Sequence, residues 1–408
     1  MVVKLKIIVA ILLAIPFSGC TQFHAQSNHR ATKPTADQVV KPGAWNTEAY
    51  LPFLEGKKVA LMVNHSSLIG ETHLVDSLLS QGVQIVRIFA PEHGFRGDAA
   101  DGEHIADGRD PRSGLPVISL YGKKKKPGKE ELEDIDVVVF DIQDVGARFY
   151  TFTSALSYLM EACAEFKLPV MVLDRPNPLG FYIDGPVLEP EFQSYVGLHP
   201  VPVVYGMTIG EWASMVNGEG WLRDGIKCSL TVIECRNYDH NTRYELPVPP
   251  SPNLPNMRAI YLYPSLCFFE GTQISVGRGT DIPFQCFGAP DLEYGDFYFT
   301  PQPNAGSKYP PHRDEKCRGV DLSKMPLDSL RSQNRLNLSF LLTAYEHYSD
   351  KPSFFLKTGY FEKLAGTAEL RKQLQAGMTE SAIRASWKPG IDSFKQIRKK
   401  YLLYPDFE

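Results

Sequence analysis

Several signatures are missing from these 408 residues, and each absence removes a class of function. There is no GxGxxG, so no strand-to-helix turn carries the glycines that cradle a dinucleotide pyrophosphate. Walker A and GxSxG sequences are also missing, which removes the P-loop and the nucleophile elbow of the α/β-hydrolases. The seven cysteines form no CxxC pair, so zinc-ribbon spacing is absent. No HxxxH occurs at helical spacing. His65, His93, Asp98, Asp101 and Asp144 are too scattered to be read as a metal site. No excess of positive charge exists either: the formal net charge is −4, which disfavours nucleic acid as a partner. Neither a metal nor a cofactor is expected.

The chain also lacks an apolar run long enough to cross a bilayer permanently. The longest candidate, Ile7 to Phe17, follows Lys4 and Lys6 and precedes Ser18-Gly19-Cys20. Charge followed by a short apolar run is the order of a secretory signal. Small residues directly before Cys20 resemble a bacterial lipobox, which implies a lipoprotein signal at 1–20, cleavage before Cys20 and its acylation. Residues 21–45 are polar and aperiodic, as in a tether. The sequence therefore predicts an exported protein, lipid-anchored to the bacterial envelope and facing the periplasm. Six cysteines remain beyond Cys20. A core of this size does not need disulfides, so mostly free, buried thiols are expected.

What is present is a repeated grammar: a short apolar run, then an abrupt cluster of polar residues. Val59–Val63 leads into Asn64-His65-Ser66-Ser67, and Val83–Ala90 into Pro91-Glu92-His93-Gly94-Phe95-Arg96-Gly97. Val137–Phe140 leads into Asp141-Ile142-Gln143-Asp144-Val145-Gly146-Ala147-Arg148, and Val170–Leu173 into Asp174-Arg175-Pro176-Asn177-Pro178. Unbroken β-branched runs this short fit strands buried on both faces. Further strands are expected at Val201–Val204 and Ser229–Glu234. Helical spacing predicts helices over Glu71–Gln81 and Thr153–Phe166, and a Thr208-Ile209-Gly210-Glu211 capping box opens another. The fold class is α/β, with a mainly parallel sheet and helices on both faces. The Pro-rich stretch Pro247 to Pro252 can continue neither helix nor central strand, so a boundary is placed there. The domains are then 46–252 and a smaller α+β domain at 253–408, with a late helix around Ala365–Ala376.

In open α/β sheets the groups just past the strand ends line the ligand crevice. Glu92 opens the densest such cluster, where burial would raise a carboxyl toward proton-donor range and His93 and Arg96 would orient it or bind an anion. A salt-bridged loop in which Arg96 neutralises Glu92 is the competing reading. Of Asp141 and Asp144, one is expected to cap the following helix. Asp174 and Asn177 sit on a stiff double-proline turn, which suits either a substrate contact or an Asp174–Arg175 network. In the second half, Glu270-Gly271-Thr272 and Gly277-Arg278-Gly279-Thr280 stand out, because the glycines let backbone approach a ligand beside a guanidinium.

Together, Ala90 to Gly97, Asp141 to Arg148, Asp174 to Pro178, Glu270-Gly271-Thr272 and Gly277 to Thr280 resemble one family. It is the exo-β-N-acetylmuramidases of bacterial cell-wall turnover, long known as a domain of unknown function. The resemblance runs from about Trp45 to the C-terminus. It implies a Rossmann-like first domain, a smaller C-terminal domain and a cleft between them. It also implies a glycoside hydrolase that releases N-acetylmuramic acid from non-reducing ends of peptidoglycan-derived muropeptides or disaccharides, and Glu92 matches the family's proposed catalytic glutamate.

Glycosidic cleavage needs an acid to protonate the leaving oxygen and a carboxylate acting as nucleophile or base, unless the sugar's own acetamido group participates. Glu92 is the general acid on this reading, with Asp144 and Glu270 competing as its partner. Arg148, Arg96 or Arg278 would pair with the lactyl carboxylate peculiar to muramic acid. Asn64, His93, Tyr150, Asp174 and Asn177 complete the expected substrate contacts. Two rivals remain: a non-catalytic lipoprotein that binds cell-wall sugars, and a metal-dependent hydrolase of another envelope bond.

Overall fold

The sheet is built as the apolar runs require. In the computed structural model, which describes residues 39–92, 95 and 107–408, seven strands form one sheet. They are β1 (Lys58–Val63), β2 (Gln84–Ala90), β3 (Gly108–Arg109), β4 (Pro116–Ser119), β5 (Val137–Asp141), β6 (Val170–Leu173) and β7 (Leu230–Ile233). Their spatial order is β3-β4-β2-β1-β5-β6-β7, and every pairing is parallel except β3 with β4. Setting aside the edge strand β3, this is the 3-2-1-4-5-6 order of the Rossmann fold. Side chains alternate faces along each strand. Val59, Leu61, Val63, Val137 and Val139 feed one core, while Ala60, Met62, Val138 and Phe140 feed the other. Burial on both faces is why the runs carry no polar alternation.

The helices follow the expected places with shifted ends. α1 (Leu74–Ser80) starts late because Leu68–Ile69 and Thr72–His73 first form a small hairpin. α2 (Phe152–Glu165) and α3 (Ile209–Gly218) match the periodic segments, and α3 carries the Thr208–Glu211 capping box. Val201–Val204 is not a strand: only isolated bridges form at Val204, and Pro200 and Pro202 remove two ladder donors. Its apolar side chains are buried without joining the sheet.

The C-terminal half holds α4 (Met257–Leu266), a three-stranded antiparallel sheet and a run of helices. That sheet comprises β8 (Cys286–Ala289), β9 (Phe297–Phe299) and β10 (Cys317–Asp321), with β10 central. α5 (Tyr360–Ala365) ends where Gly366 takes φ 75°, and the expected late helix is α6 (Glu369–Gln375). A long α7 (Glu380–Arg398) follows.

One apolar cluster runs from Ala60 to Phe394, so the two halves share a core, and Val40–Glu408 forms a single compact unit. Residues 40–45, expected in the tether, belong to that body: Lys41 pairs with Arg236 and the Gly43 N–H donates to Asp174 O. Cys163, Cys228, Cys235, Cys267, Cys286 and Cys317 are buried free thiols, as expected. The signal, Cys20 and residues 21–38 lie outside the described residues.

Candidate active site

At the switch point between β1 and β5 the loops past the strand ends are tied to one another. Ser66 Oγ accepts the Gln143 N–H at 3.0 Å, and the Ser67 hydroxyl donates to Asp141 O. Asn64 is fully buried here, its Oδ1 taking the Ser66 N–H and hydroxyl at 2.9 and 2.6 Å. Asn64 Oδ1 therefore braces this loop.

The open site lies one strand further, beyond the end of β2. There Glu92 lines a cavity whose wall also carries Tyr150, Thr151, Glu270, Arg278 and Tyr360. The Tyr121 hydroxyl donates to Glu92 Oε1 at 2.6 Å, and the Thr151 hydroxyl to Oε2 at 2.7 Å. A hydroxyl can donate or accept, so this clamp suits the carboxyl with or without its proton. Thr151 sits at the start of α2 and makes no side-chain cap there, which leaves its hydroxyl for Glu92. Neither expected Asp caps that helix.

The C-terminal half brings a second carboxylate to the same cavity. Glu270 Oε1 accepts from Arg278 Nε at 2.6 Å and lies 2.6 Å from Nη2, and the Cys267 thiol faces Oε2 at 3.4 Å. The pair is mostly buried, and the Arg278 guanidinium lies over the Phe284 ring at 5.2 Å. Gly277 and Gly279 do not make room for a ligand. Both have positive φ, and a Cβ on them would strike Cys286 Sγ and Gln302 O, so these glycines serve the chain's own packing.

Tyr150 lines the cavity while its hydroxyl donates to Pro250 O at 2.8 Å. That carbonyl belongs to the Pro-rich stretch, which has no helix or strand and lies along the site: His65 Nε2 is 2.8 Å from Pro249 O, and Ser251 and Asn253 join the cavity wall.

Four other expected site residues are placed elsewhere. Arg148 is buried and donates to the carbonyls of Pro186, Val201, Leu364 and Ala365 at 2.7–2.9 Å, so it is not available to a lactyl carboxylate. Burial without an acid partner draws its pKa down to about 9. Asp144 is 5% exposed, accepts from the Gly146 N–H at 2.7 Å and from the Tyr205 hydroxyl, and is not on the cavity wall. Desolvation pushes it up to about 6. Asp174 is fully buried and accepts from Tyr404 Oη, the Gly210 N–H and the Arg175 N–H. Desolvation, with the charge of Glu211, raises it to about 7. Asn177 bridges Met207 O and the Leu179 N–H. The cation for that region's acid is Arg175, paired through Nε and Nη2 at 2.5 and 2.8 Å with Asp141 and not with Asp174. His93 and Arg96 lie outside the described residues. Among the described residues no group of three His, Cys, Asp or Glu side chains could hold a metal.

Sequence reasoning passed over Tyr121, Thr151, Ser251, Asn253 and Tyr360. The first had a signal: Val117–Leu120 followed by Tyr121-Gly122 repeats the apolar-then-polar grammar, masked by Pro116.

With this geometry in place, comparison with known proteins is direct. The family models for exo-beta-N-acetylmuramidase NamZ match residues 59–258 with the N-terminal domain and 261–404 with the C-terminal domain. The chain is 38% identical over 373 residues to the peptidoglycan beta-N-acetylmuramidase NamZ of Bacillus subtilis, covering 87% of this chain and 89% of that protein. Two crystal structures of DUF1343 family proteins from Bacteroides fragilis are similar throughout. One is 45% identical with a TM-score of 0.83, covering 90% of this chain and 99% of that chain. The other is 30% identical with a TM-score of 0.73, covering 91% and 100%.

Proposed function

Because the chain belongs to the exo-β-N-acetylmuramidase family, we propose that it releases N-acetylmuramic acid from non-reducing ends of peptidoglycan fragments with Glu92 as the general acid. The observation that carries this is the meeting of Glu92, clamped by two hydroxyls, with the Glu270–Arg278 pair in one cavity. Glu92 protonates the departing glycosidic oxygen, and Glu270 is the second carboxylate, acting on water, on the anomeric carbon or on the sugar's acetamido group. Asp144 drops out of that role because it does not reach the cavity wall. Of the candidate arginines among the described residues, Arg148 and Arg278, it is Arg278 that is on the wall, and it meets the lactyl carboxylate that separates muramic acid from N-acetylglucosamine.

The test is chromophore release from an aryl β-N-acetylmuraminide beside the matching N-acetylglucosaminide, with and without chelator. The muraminide alone should turn over, unaffected by chelator. Glu92→Gln should lower kcat by about 100-fold or more while leaving the fold intact, and Arg278→Ala should narrow the rate gap between the two sugars. No turnover of either sugar by folded protein would favour a sugar-binding lipoprotein instead.

The charged, apolar, small-residue order before Cys20 supports export and a lipid anchor at that residue, in the periplasm-facing envelope. A full-length Cys20→Ser chain should leave the membrane fraction. Its retention there would refute the anchor.

A further inference from the structure

The Glu270–Arg278 pair leaves one carboxylate oxygen aside. Arg278 Nε and Nη2 both lie 2.6 Å from the same atom, Glu270 Oε1. A fork-on-fork pair would have spread those N–H groups over both oxygens. Oε2 instead faces the Cys267 thiol at 3.4 Å. The Tyr263 hydroxyl is hydrogen-bonded to the same sulfur, and Tyr263 and Glu270 both line the cavity.

The spacing of the three residues makes this row. α4 ends at Leu266 and passes directly into a 3-10 turn over Cys267–Gly271. Residues four apart in an α-helix share a face, and residues three apart in a 3-10 helix eclipse one another. Tyr263, Cys267 and Glu270 therefore stand one above the next. Edge contacts with Phe149, Tyr150 and Phe284 fix the Tyr263 ring, and Cys267 is 1% exposed.

We propose that Cys267 is a positioning residue whose thiol fixes the direction of Glu270 Oε2 and favours its charged form. This rests on the reading of Glu270 as the second carboxylate of the reaction. Held through Oε1 alone, the carboxylate could still turn about that anchor, and the thiol supplies the second point. A thiol is a weak donor, so it steers Oε2 without tying up its lone pairs as a further guanidinium N–H would. Burial and the charge of Glu270 push the Cys267 thiol well above its ordinary range. It therefore stays protonated and donates. The Tyr263 hydroxyl donates to the sulfur, which leaves the S–H for Glu270.

The experiment follows kcat and the pH profile of kcat/KM on the aryl β-N-acetylmuraminide for the wild type, Cys267→Ala and Cys267→Ser. Glu270 must be ionised and Glu92 protonated, so the acid limb belongs to Glu270 and the alkaline limb to Glu92. Loss of a donor raises a carboxyl's pKa, so Cys267→Ala should move the acid limb up by about half a pH unit or more. It should also lower kcat about tenfold, with KM changed less than about twofold and the alkaline limb in place. Cys267→Ser keeps a donor and should hold the acid limb at or below its wild-type position, with most of kcat restored. An acid limb that stays put in Cys267→Ala, or rises equally in both variants, overturns the role of Cys267. Tyr263→Phe leaves the sulfur and removes its partner, so the acid limb should rise by a smaller step. Should Cys267→Ala fail to fold, an unmoved limb in Tyr263→Phe overturns the role instead. Wild-type kcat in Glu270→Gln would overturn the reading of Glu270 itself.

Discussion

At the scale of single residues, most of the polar groups clustered past the strand ends brace loops, and few face the cavity. Asp174 is the clearest case. Burial raises its carboxyl to about 7 from an ordinary value of 3.8. The folded chain therefore holds more protons than the unfolded chain between those values, and this group's contribution to stability falls as pH rises through that window. Asp144, raised to about 6, acts with the same sign over a narrower range. His199, drawn down by burial to about 4, acts oppositely: stability rises as pH climbs toward its ordinary 6.5. Because these slopes partly cancel, the informative quantity is a difference. The stability of wild type minus that of Asp174→Asn, measured by urea unfolding between about pH 4 and 8, should decline by a few kcal/mol as pH rises. Parallel profiles would show that Asp174 keeps its charge throughout. Glu92 was legible in the sequence because it matched a family position. Asn64, Arg148, Asp174 and Asn177 were chosen by residue type at strand ends, and a one-dimensional pattern does not distinguish a side chain facing a ligand from one stitching two loops together.

At the scale of elements, the strands read well because burial on both faces leaves an unmistakable trace. Four of the expected runs, those over β1, β2, β5 and β6, lie side by side in the sheet, and β7 lies beside β6. Where reading failed, backbone chemistry outweighed hydrophobicity. Val201–Val204 has the apolar content of a strand but not its donors. The carbonyls of Val201 and Val203 instead accept from the Arg148 side chain and backbone N–H. The helix expected around Ala365–Ala376 is present as α6 but starts later, at Glu369, because Gly366 ends the preceding α5. β4 was missed because Pro116 stands at its start, a position where a strand tolerates proline. That omission hid Tyr121, whose hydroxyl, with that of Thr151, holds the Glu92 carboxyl.

At the scale of the whole molecule, Arg148 joins what composition and proline content had separated. Its four accepting carbonyls come from residues 186 and 201 on one side and 364 and 365 on the other, next to an apolar cluster that spans both halves. Arg148→Met should therefore remove about 3 kcal/mol or more, since four buried carbonyls lose their donors. The loss should appear in a single unfolding transition, coincident by tryptophan fluorescence and far-ultraviolet dichroism. Two resolved transitions, or a loss under about 1 kcal/mol, would contradict a shared core tied at this point. The Pro-rich passage between the halves has a consequence of a different kind. Its carbonyls are fastened to His65 and Tyr150, and Ser251 and Asn253 form part of the cavity wall. Linkers ordinarily drift in length between relatives at little cost. Here an inserted residue would deform the cavity beside Glu92, so natural variation in this family should gather in the outer loops and leave the length of this passage fixed.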